Sequence, residues 1–177
     1  MSNLKRFSDS LHPHLLAWIW SALFLGQIIL AFFVFTEPKI QALRVAGWAI
    51  WVLGTVFAIW PILALRKGGG VPQGKSYMAT TALVDTGIYA VVRHPQSGTA
   101  GLLLTLALVL IGQHWLLVLL AAVGSVLIYI DTFRADAACI DKFGEAYVRY
   151  MESVPGVNFV AGLLRLLRHR NTERWGV

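Results

Sequence analysis

The fold is decided first by Val45–Leu65, which reads VAGWAIWVLGTVFAIWPILAL and contains no charged side chain. A second run of 21 residues, from Leu15 to Phe35, is equally uncharged. A helix rises about 1.5 Å per residue, so each run can reach across the roughly 30 Å of a bilayer core. Such runs form helices because the backbone must satisfy its own hydrogen bonds in lipid. The sequence therefore predicts two membrane-spanning helices within its first 65 residues.

A third apolar region extends from Gly98 to Ile130 and is too long for one span. The polar pair Gln113 and His114 divides it. We expect a helical hairpin with the arms Pro95–Gly112 and Trp115–Asp131. The predicted fold class is therefore all-α: a polytopic membrane bundle of about four crossings, the last two forming a hairpin, followed by cytoplasmic amphipathic C-terminal helices.

The composition and the distribution of charge indicate a membrane protein and predict its orientation. Hydrophobic residues make up 57% of the chain and charged residues only 14%, which excludes an ordinary soluble domain. Of the 15 Lys and Arg residues, all but Lys39 and Arg44 fall in candidate cytoplasmic segments. This bias predicts that both termini are cytoplasmic, in the cell membrane of a prokaryote or the endoplasmic reticulum of a eukaryote. The net charge of +6 then favours contact with anionic membrane lipids, and no nucleic-acid partner is expected.

Two polar segments lie on the predicted cytoplasmic side. The first, Arg66–His94, is predicted to be a loop with a turn at Asp85–Gly87. The second begins with apolar residues at three- and four-residue spacing over Phe133–Met151, which predicts an amphipathic helix. A last helix is predicted over about Phe159–Arg168, where leucines alternate with arginines, as is typical of a helix on an anionic membrane surface.

The sequence Arg93-His94-Pro95 is the strongest local signal for a binding site. Proline suits the first turn of a helix, so the third span is predicted to begin at Pro95. The positive end of that helix, beside Arg93 and His94, would favour an anion such as a carboxylate or phosphate. The same residues also suit an ordinary helix start with a basic anchor at the membrane surface, so both interpretations stay open.

Asp136 is the second candidate. It lies on a predicted apolar stripe that continues through Ile140, Phe143, Tyr147 and Tyr150. An acid on such a face is costly without a partner. It is interpreted either as an acceptor for a ligand hydroxyl pair or cationic group, or as an acid near a helix N-terminus.

Metal ions are not predicted as cofactors. The five histidines are scattered over different segments, and Cys139 is the single cysteine. This pattern lacks the spacing of a metal site. No catalytic residue is assigned from the sequence.

The segment Gly87–Gln96, followed by the apolar hairpin and by Phe143–Tyr150 with Val154–Pro155, resembles a known superfamily. This is the isoprenylcysteine carboxyl methyltransferase and phospholipid methyltransferase superfamily of integral membrane methyltransferases. Its pattern is Gly-x-Tyr, Arg-His-Pro-x-Tyr, a helical hairpin, an acidic pair and Phe-Gly-x-x-Tyr-x-x-Tyr. The resemblance covers about residues 82–155, within a single methyltransferase-like domain predicted over 1–177.

The resemblance implies that S-adenosylmethionine binds in a cytoplasmic pocket roofed by the segment after the hairpin, and that a lipid-like substrate enters from the bilayer. Four residues match the cofactor motif: Tyr89, Arg93, His94 and Pro95. Asp136 falls at the first position of the acidic pair. Two positions depart from the pattern, because Ala137 replaces the second acid and Ser97 the tyrosine after the Arg-His-Pro-x unit.

The predicted function is that of a membrane methyltransferase that uses S-adenosylmethionine. Its acceptor would be lipid-like or membrane-embedded, either a lipophilic small molecule or a lipidated substrate, and membrane lipids are its expected partners. Two alternatives remain: a non-catalytic membrane module that retains the fold, and a membrane reductase that uses a nicotinamide cofactor. The sequence predicts neither the acceptor's identity nor the oligomeric state.

Overall fold

The computed structural model describes residues 15–33 and 40–175, with side chains described as far as residue 168. Within these ranges the chain is helical and has no strand. Seven α-helices follow in chain order: α1 (Leu15–Phe33), α2 (Gln41–Gly68), α3 (Ile88–Val91), α4 (Gly101–Gly112), α5 (Trp115–Phe143), α6 (Glu145–Ser153) and α7 (Phe159–Trp175). A π-helical turn over Pro95–Ala100 leads directly into α4. Lys39, used above for the orientation, lies outside the described residues.

In the described part of the chain, four helical segments are long and apolar enough to cross a membrane: Leu15–Phe33, Gln41–Gly68, Pro95–Gly112 and Trp115–Phe143. The predicted all-α fold with four crossings is thus confirmed, and the hairpin divides at Gln113 and His114 as expected. The chain is a multi-pass membrane protein. The cytoplasmic orientation of its termini stays a prediction.

The sequence predicted one amphipathic helix over Phe133–Met151, whereas the structure has two helices there that are separated by Gly144. α5 continues past Asp131 to Phe143, and Gly144 then adopts a φ of 58°, which a side chain disfavours. A new helix, α6, begins at Glu145, whose charge suits a helix N-terminus. The apolar stripe is correspondingly interrupted, because Ile140 is exposed although Tyr147 and Tyr150 are buried.

The other predictions for the polar segments agree more closely with the structure. α7 begins at Phe159, as the sequence indicated, and extends to Trp175. The predicted loop Arg66–His94 is confirmed in part, because α2 continues only to Gly68. One element in it was not predicted, the single helical turn α3.

The chain divides into two compact units. The first consists of Met1–Gly54 with Gly101–Asp136, and the second of Thr55–Ala100 with Ala137–Val177. The boundaries after Gly54 and Asp136 fall inside helices α2 and α5. The prediction of one functional domain over 1–177 stays a prediction.

In the first unit, α1 packs against α4, and a polar side chain joins the helices. Gln27 is 1% exposed, and its Nε2 donates to the carbonyl oxygens of Thr105 and Leu117, each at 3.2 Å. The amide of the first span thereby contacts both arms of the hairpin. Apolar packing around Ala31, Leu108 and Leu117 completes this core.

The turn of the hairpin is linked to the start of α2 by a second glutamine. The backbone N–H of Ile40 donates to Oε1 of Gln113 at 3.2 Å, and Nε2 of Gln113 donates to the carbonyl of Ile40 at 2.9 Å. Gln113 adopts a φ of 46°, which is uncommon for a residue with a side chain. One side chain thus satisfies both backbone groups of a residue 73 positions away.

Candidate functional site

The predicted cofactor motif, which comprises Tyr89, Arg93, His94 and Pro95, begins in the single helical turn α3. Gly87 has a φ of 62° and starts this turn, in which Tyr89 N–H donates to the carbonyl of Thr86 at 3.2 Å and Ala90 N–H to that of Gly87 at 3.1 Å. The turn predicted at Asp85–Gly87 is therefore found at Gly87, and its first hydrogen bond starts at Thr86. Val92 ends α3 in an extended conformation and is fully buried. The next residue, Arg93, thus lies on non-helical backbone whose polar groups need other partners.

Those partners come from the segment after α6. Arg93 N–H donates to the carbonyl of Pro155 at 3.0 Å, and His94 N–H donates to that of Gly156 at 2.9 Å. The hydroxyl of Thr99 continues the series and donates to the carbonyl of Val157 at 2.9 Å. The carbonyls of three successive residues therefore accept hydrogen bonds from Arg93, His94 and Thr99. These donors lie 58 or more positions earlier in the sequence.

The third span begins at Pro95, as predicted, but its first turn is π-helical. The carbonyl of His94 accepts from Gly98 N–H at 3.1 Å and from Thr99 N–H at 2.9 Å, and the second of these bonds spans five residues. Pro95 is fully buried and His94 is 7% exposed. Turns of this kind are frequent at functional sites.

Helices α6 and α7 hold the other side of the motif. The hydroxyl of Tyr150 donates to the carbonyl of Tyr89 at 2.6 Å, and a guanidinium N–H of Arg165 donates to that of Ala90. Gly162 lies so close to the carbonyl of Val91 that a Cβ at this position would overlap its oxygen. The three successive residues of α3 are therefore fixed by contacts from the C-terminal helices.

Burial also keeps the two tyrosines of this site protonated. Desolvation raises the pKa of Tyr89 well above its usual value, and charge repulsion from Tyr77 and Cys139 raises it further. Desolvation likewise raises the pKa of Tyr150, with Tyr89 adding to the shift. A phenol is neutral at pH 7 even at its usual pKa near 10, and the raised pKa keeps both tyrosines protonated to higher pH, where Tyr150 can still donate to the carbonyl of Tyr89.

An open pocket of about 430 Å³ lies beside these contacts. Its lining residues come from the loop before α3 and from α6, its C-terminal end and α7: Leu83, Asp85, Ala146, Arg149, Tyr150, Ser153, Val154 and Arg165. The volume is within the range of small-molecule sites. The lining does not include Tyr89, Arg93, His94, Pro95 or Asp136.

Asp136 lies in the helix interior, where only one of its two interpretations survives. It is 8% exposed and lies well inside α5, which begins at Trp115. The interpretation of Asp136 as an acid near a helix N-terminus is therefore wrong. Asp136 belongs to the first unit, whereas Tyr89, Arg93, His94 and Pro95 belong to the second. Their common cofactor pocket stays a prediction.

Sequence reasoning missed the contacts of Thr99, Tyr150, Gly162 and Arg165. Tyr150 and Arg165 lie on predicted helices, but nothing local marks a bond to a backbone carbonyl more than 60 positions away. Gly162 could have indicated the contact with α3, because a glycine inside a helix is costly and indicates a close approach of another segment.

Four apolar helices among the described residues, together with a match to a methyltransferase family, support the class of membrane methyltransferases for this chain. A model of the phospholipid methyltransferase family matches residues 42–135, more than half of the sequence. The chain belongs to the phospholipid methyltransferase family, whose members generally use S-adenosylmethionine. The match includes α2, the cofactor motif and most of the hairpin, and ends one residue before Asp136. Comparisons with curated proteins and with solved structures each find no match.

Proposed function

We propose that this chain transfers a methyl group from S-adenosylmethionine to a lipid-like or membrane-embedded acceptor. The observation that carries the proposal is the Arg93-His94-Pro95 motif, fixed from two sides at the start of a membrane span in a chain of this family. A rigid polar motif at the end of an apolar helix suits a reaction between a charged cofactor and an acceptor in lipid.

The chemistry of the residues fits the cofactor. Its carboxylate would be held by Arg93, whose planar guanidinium matches a carboxylate. The start of the span adds the N–H groups of Gln96 and Ser97, which precede the first hydrogen bonds of the helix. His94 would contribute through its imidazole, since its backbone N–H already donates to Gly156. Asp136 would accept from the ribose hydroxyls or the amino group.

The cofactor supplies an electrophilic methyl on a sulfonium, which the acceptor's lone pair attacks as the carbon–sulfur bond breaks. The chain's own contribution is to align the two reactants and to exclude water. The fixed backbone from Tyr89 to Pro95 supplies the first of these, because it holds the cofactor motif in one conformation. No proton-transfer residue is proposed, because the acceptor group stays open: a carboxylate would need none, whereas an amine or a thiol would have to lose a proton.

Binding is the first test, by calorimetry with S-adenosylmethionine and NADPH on the full chain in detergent. Charge-assisted hydrogen bonds contribute roughly 1.5–3 kcal/mol, so His94→Ala and Asp136→Asn should each raise the dissociation constant for S-adenosylmethionine about ten- to a hundredfold. Lys67→Ala, at an exposed position of α2, is the matched control and should bind like the parent. Unchanged binding by both folded pocket variants would show that the proposed site is wrong.

The same titrations separate the alternatives. Binding of NADPH without S-adenosylmethionine would support a reductase, and binding of neither would support a non-catalytic module. Incubation with radiolabelled S-adenosylmethionine and a total lipid extract then tests the reaction itself. Label that appears in an extractable lipid, and is reduced by His94→Ala, supports methyl transfer to a lipid-like acceptor.

We also propose that both termini face the cytoplasm. In a Cys139→Ser background, an impermeant maleimide added to intact cells should label Gln41→Cys, an exposed position at the start of the second span, but not Glu152→Cys in α6. Permeabilised cells should label both variants, which controls for reactivity. Labelling of Glu152→Cys but not of Gln41→Cys in intact cells would show that the orientation is the opposite of the proposed one.

A further inference from the structure

We propose that the pocket between the loop before α3 and helices α6 and α7 binds a phosphate group, at a site separate from the cofactor motif. Arg149 and Arg165 line this pocket together with the carboxylate of Asp85. Two arginines against one aspartate leave an excess of one positive charge. That balance matches a phosphodiester, which carries a single negative charge. The proposal does not depend on the methyl-transfer function.

The two arginines have donors to offer such a ligand. Among the described residues, Arg149 makes no hydrogen bond or ion pair, and it is exposed on α6. Arg165 uses one N–H for the carbonyl of Ala90, while its buried Nε has no partner in the described part of the chain. A buried donor without a partner is destabilising, and an oxyanion is the acceptor that it lacks. The planar fork of arginine suits phosphate particularly well.

The phosphate could come from a lipid headgroup or from solution. Arg165 shares α7 with four exposed apolar residues at three- and four-residue spacing: Val160, Leu163, Leu164 and Leu167. An unpartnered apolar face beside a basic pocket is typical of a helix on a membrane surface. This favours a headgroup phosphate as the source.

Occupancy of the pocket would also stabilise the cofactor motif. Tyr150 and Arg165 line the pocket and at the same time bind the carbonyls of Tyr89 and Ala90. A phosphate that orders Arg165 therefore orders the turn that precedes Arg93. Phosphate binding should accordingly raise the thermal midpoint of the chain as well as fill the pocket.

The test uses the full chain in a neutral detergent and follows thermal unfolding by tryptophan fluorescence at constant ionic strength. Sodium phosphate, titrated against sodium chloride, should raise the midpoint of the parent. Arg149→Gln should weaken the response at least tenfold, and Arg66→Gln, an exposed arginine on α2, should leave it unchanged. Arg149→Lys keeps the charge but not the fork and should fall between these two variants.

Dihexanoyl phosphatidylglycerol, titrated in the same way, distinguishes the sources. A response at a concentration at least tenfold lower than for phosphate identifies a lipid headgroup, and a weaker or equal response identifies free phosphate. The proposal is overturned if neither probe shifts the parent, or if Arg149→Gln responds like the parent. It is also overturned if phosphate displaces S-adenosylmethionine in calorimetry, because the pocket would then belong to the cofactor. None of the thermal measurements needs cofactor or acceptor, so failure here leaves the methyltransferase proposal intact.

Discussion

The two units differ in how they satisfy buried polar groups. In the described part of the first unit the backbone is almost entirely helical, and Gln27 adds hydrogen bonds to carbonyls that lie inside α4 and α5 and have helical partners there. In the second unit the backbone of Arg93 and His94 is non-helical, and its hydrogen bonds come from a distant segment of the chain. A lost contact in the first unit therefore removes an extra bond, whereas one in the second leaves a group without a partner. Substitutions should consequently cost more in the second unit.

The largest effect is expected for Gly162→Ala in the second unit. The added methyl group would overlap the carbonyl oxygen of Val91, and backbone on both sides leaves it little room to move. Overpacking of this severity costs about 3 kcal/mol or more. Unfolding of the detergent-solubilised chain by added SDS should show the loss, together with faster proteolysis after Arg93.

Gly26→Ala is the matched control from the first unit. Nothing lies within 4 Å of a Cβ at this position in α1, so the change should be neutral or stabilise the helix by up to about 1 kcal/mol. Equal destabilisation by the two glycine substitutions would contradict the difference between the units.

Tyr150→Phe should have the next largest effect. It removes the hydrogen bond to the carbonyl of Tyr89 and leaves that partly buried acceptor without its partner, at a cost of about 1–2 kcal/mol. SDS-induced unfolding at neutral pH measures this loss. Tyr129→Phe, at an exposed position on α5, is the control and should unfold like the parent.

The raised pKa of Tyr150 also predicts a dependence on pH. An unfolded tyrosine loses its proton near pH 10, whereas buried Tyr150 keeps it to higher pH, so the folded chain binds more protons above that point. The free energy of unfolding should therefore fall as the pH rises above about 10. Tyr150→Phe should make this fall shallower, although Tyr89 still contributes. A slope identical to that of the parent would show that the pKa of Tyr150 is not raised in the folded chain.

The smallest effect is expected for Gln27→Leu in the first unit. The variant loses two interhelical hydrogen bonds, but the carbonyls of Thr105 and Leu117 keep their helical partners. Interhelical hydrogen bonds in membranes contribute about 0.6 kcal/mol on average, and a loss of about 1 kcal/mol is expected in SDS-induced unfolding. Ser21→Leu, exposed on α1, controls for the added hydrophobicity. If Gln27→Leu lowered the free energy of unfolding by more than Tyr150→Phe does, the expected difference between the two units would be contradicted.

The sequence was sufficient for the first unit because lipid imposes a local rule. A span must be long, apolar and helical, so uncharged runs predicted the helices, and the polar pair Gln113 and His114 predicted the turn. In the second unit, the start of α7 at Phe159 was also predicted, because its local composition is sufficient to indicate it. Gln27 stood in the sequence as a polar residue within a span, but its partners could not be read from it.

The second unit was predicted poorly for the opposite reason. Its defining bonds join residues that are 58 to 75 positions apart, such as Thr99 with Val157 and Arg165 with Ala90. No local periodicity records such pairs. The break at Gly144 did have a signal, because glycine before Glu145 resembles a helix start, but the continuous apolar spacing around it outweighed that signal.

The glutamine link at the hairpin turn has a consequence for the environments in which the chain can work. Gln113 and Ile40 are joined only by amide groups, and neither an amide side chain nor the backbone titrates or bears a net charge. Acidification of the adjoining compartment cannot protonate this link, and the voltage across the membrane exerts no force on a net charge there, because there is none. The end of the hairpin is thus fastened by a bond that stays the same in an acidic vesicle, a neutral medium or an energised membrane.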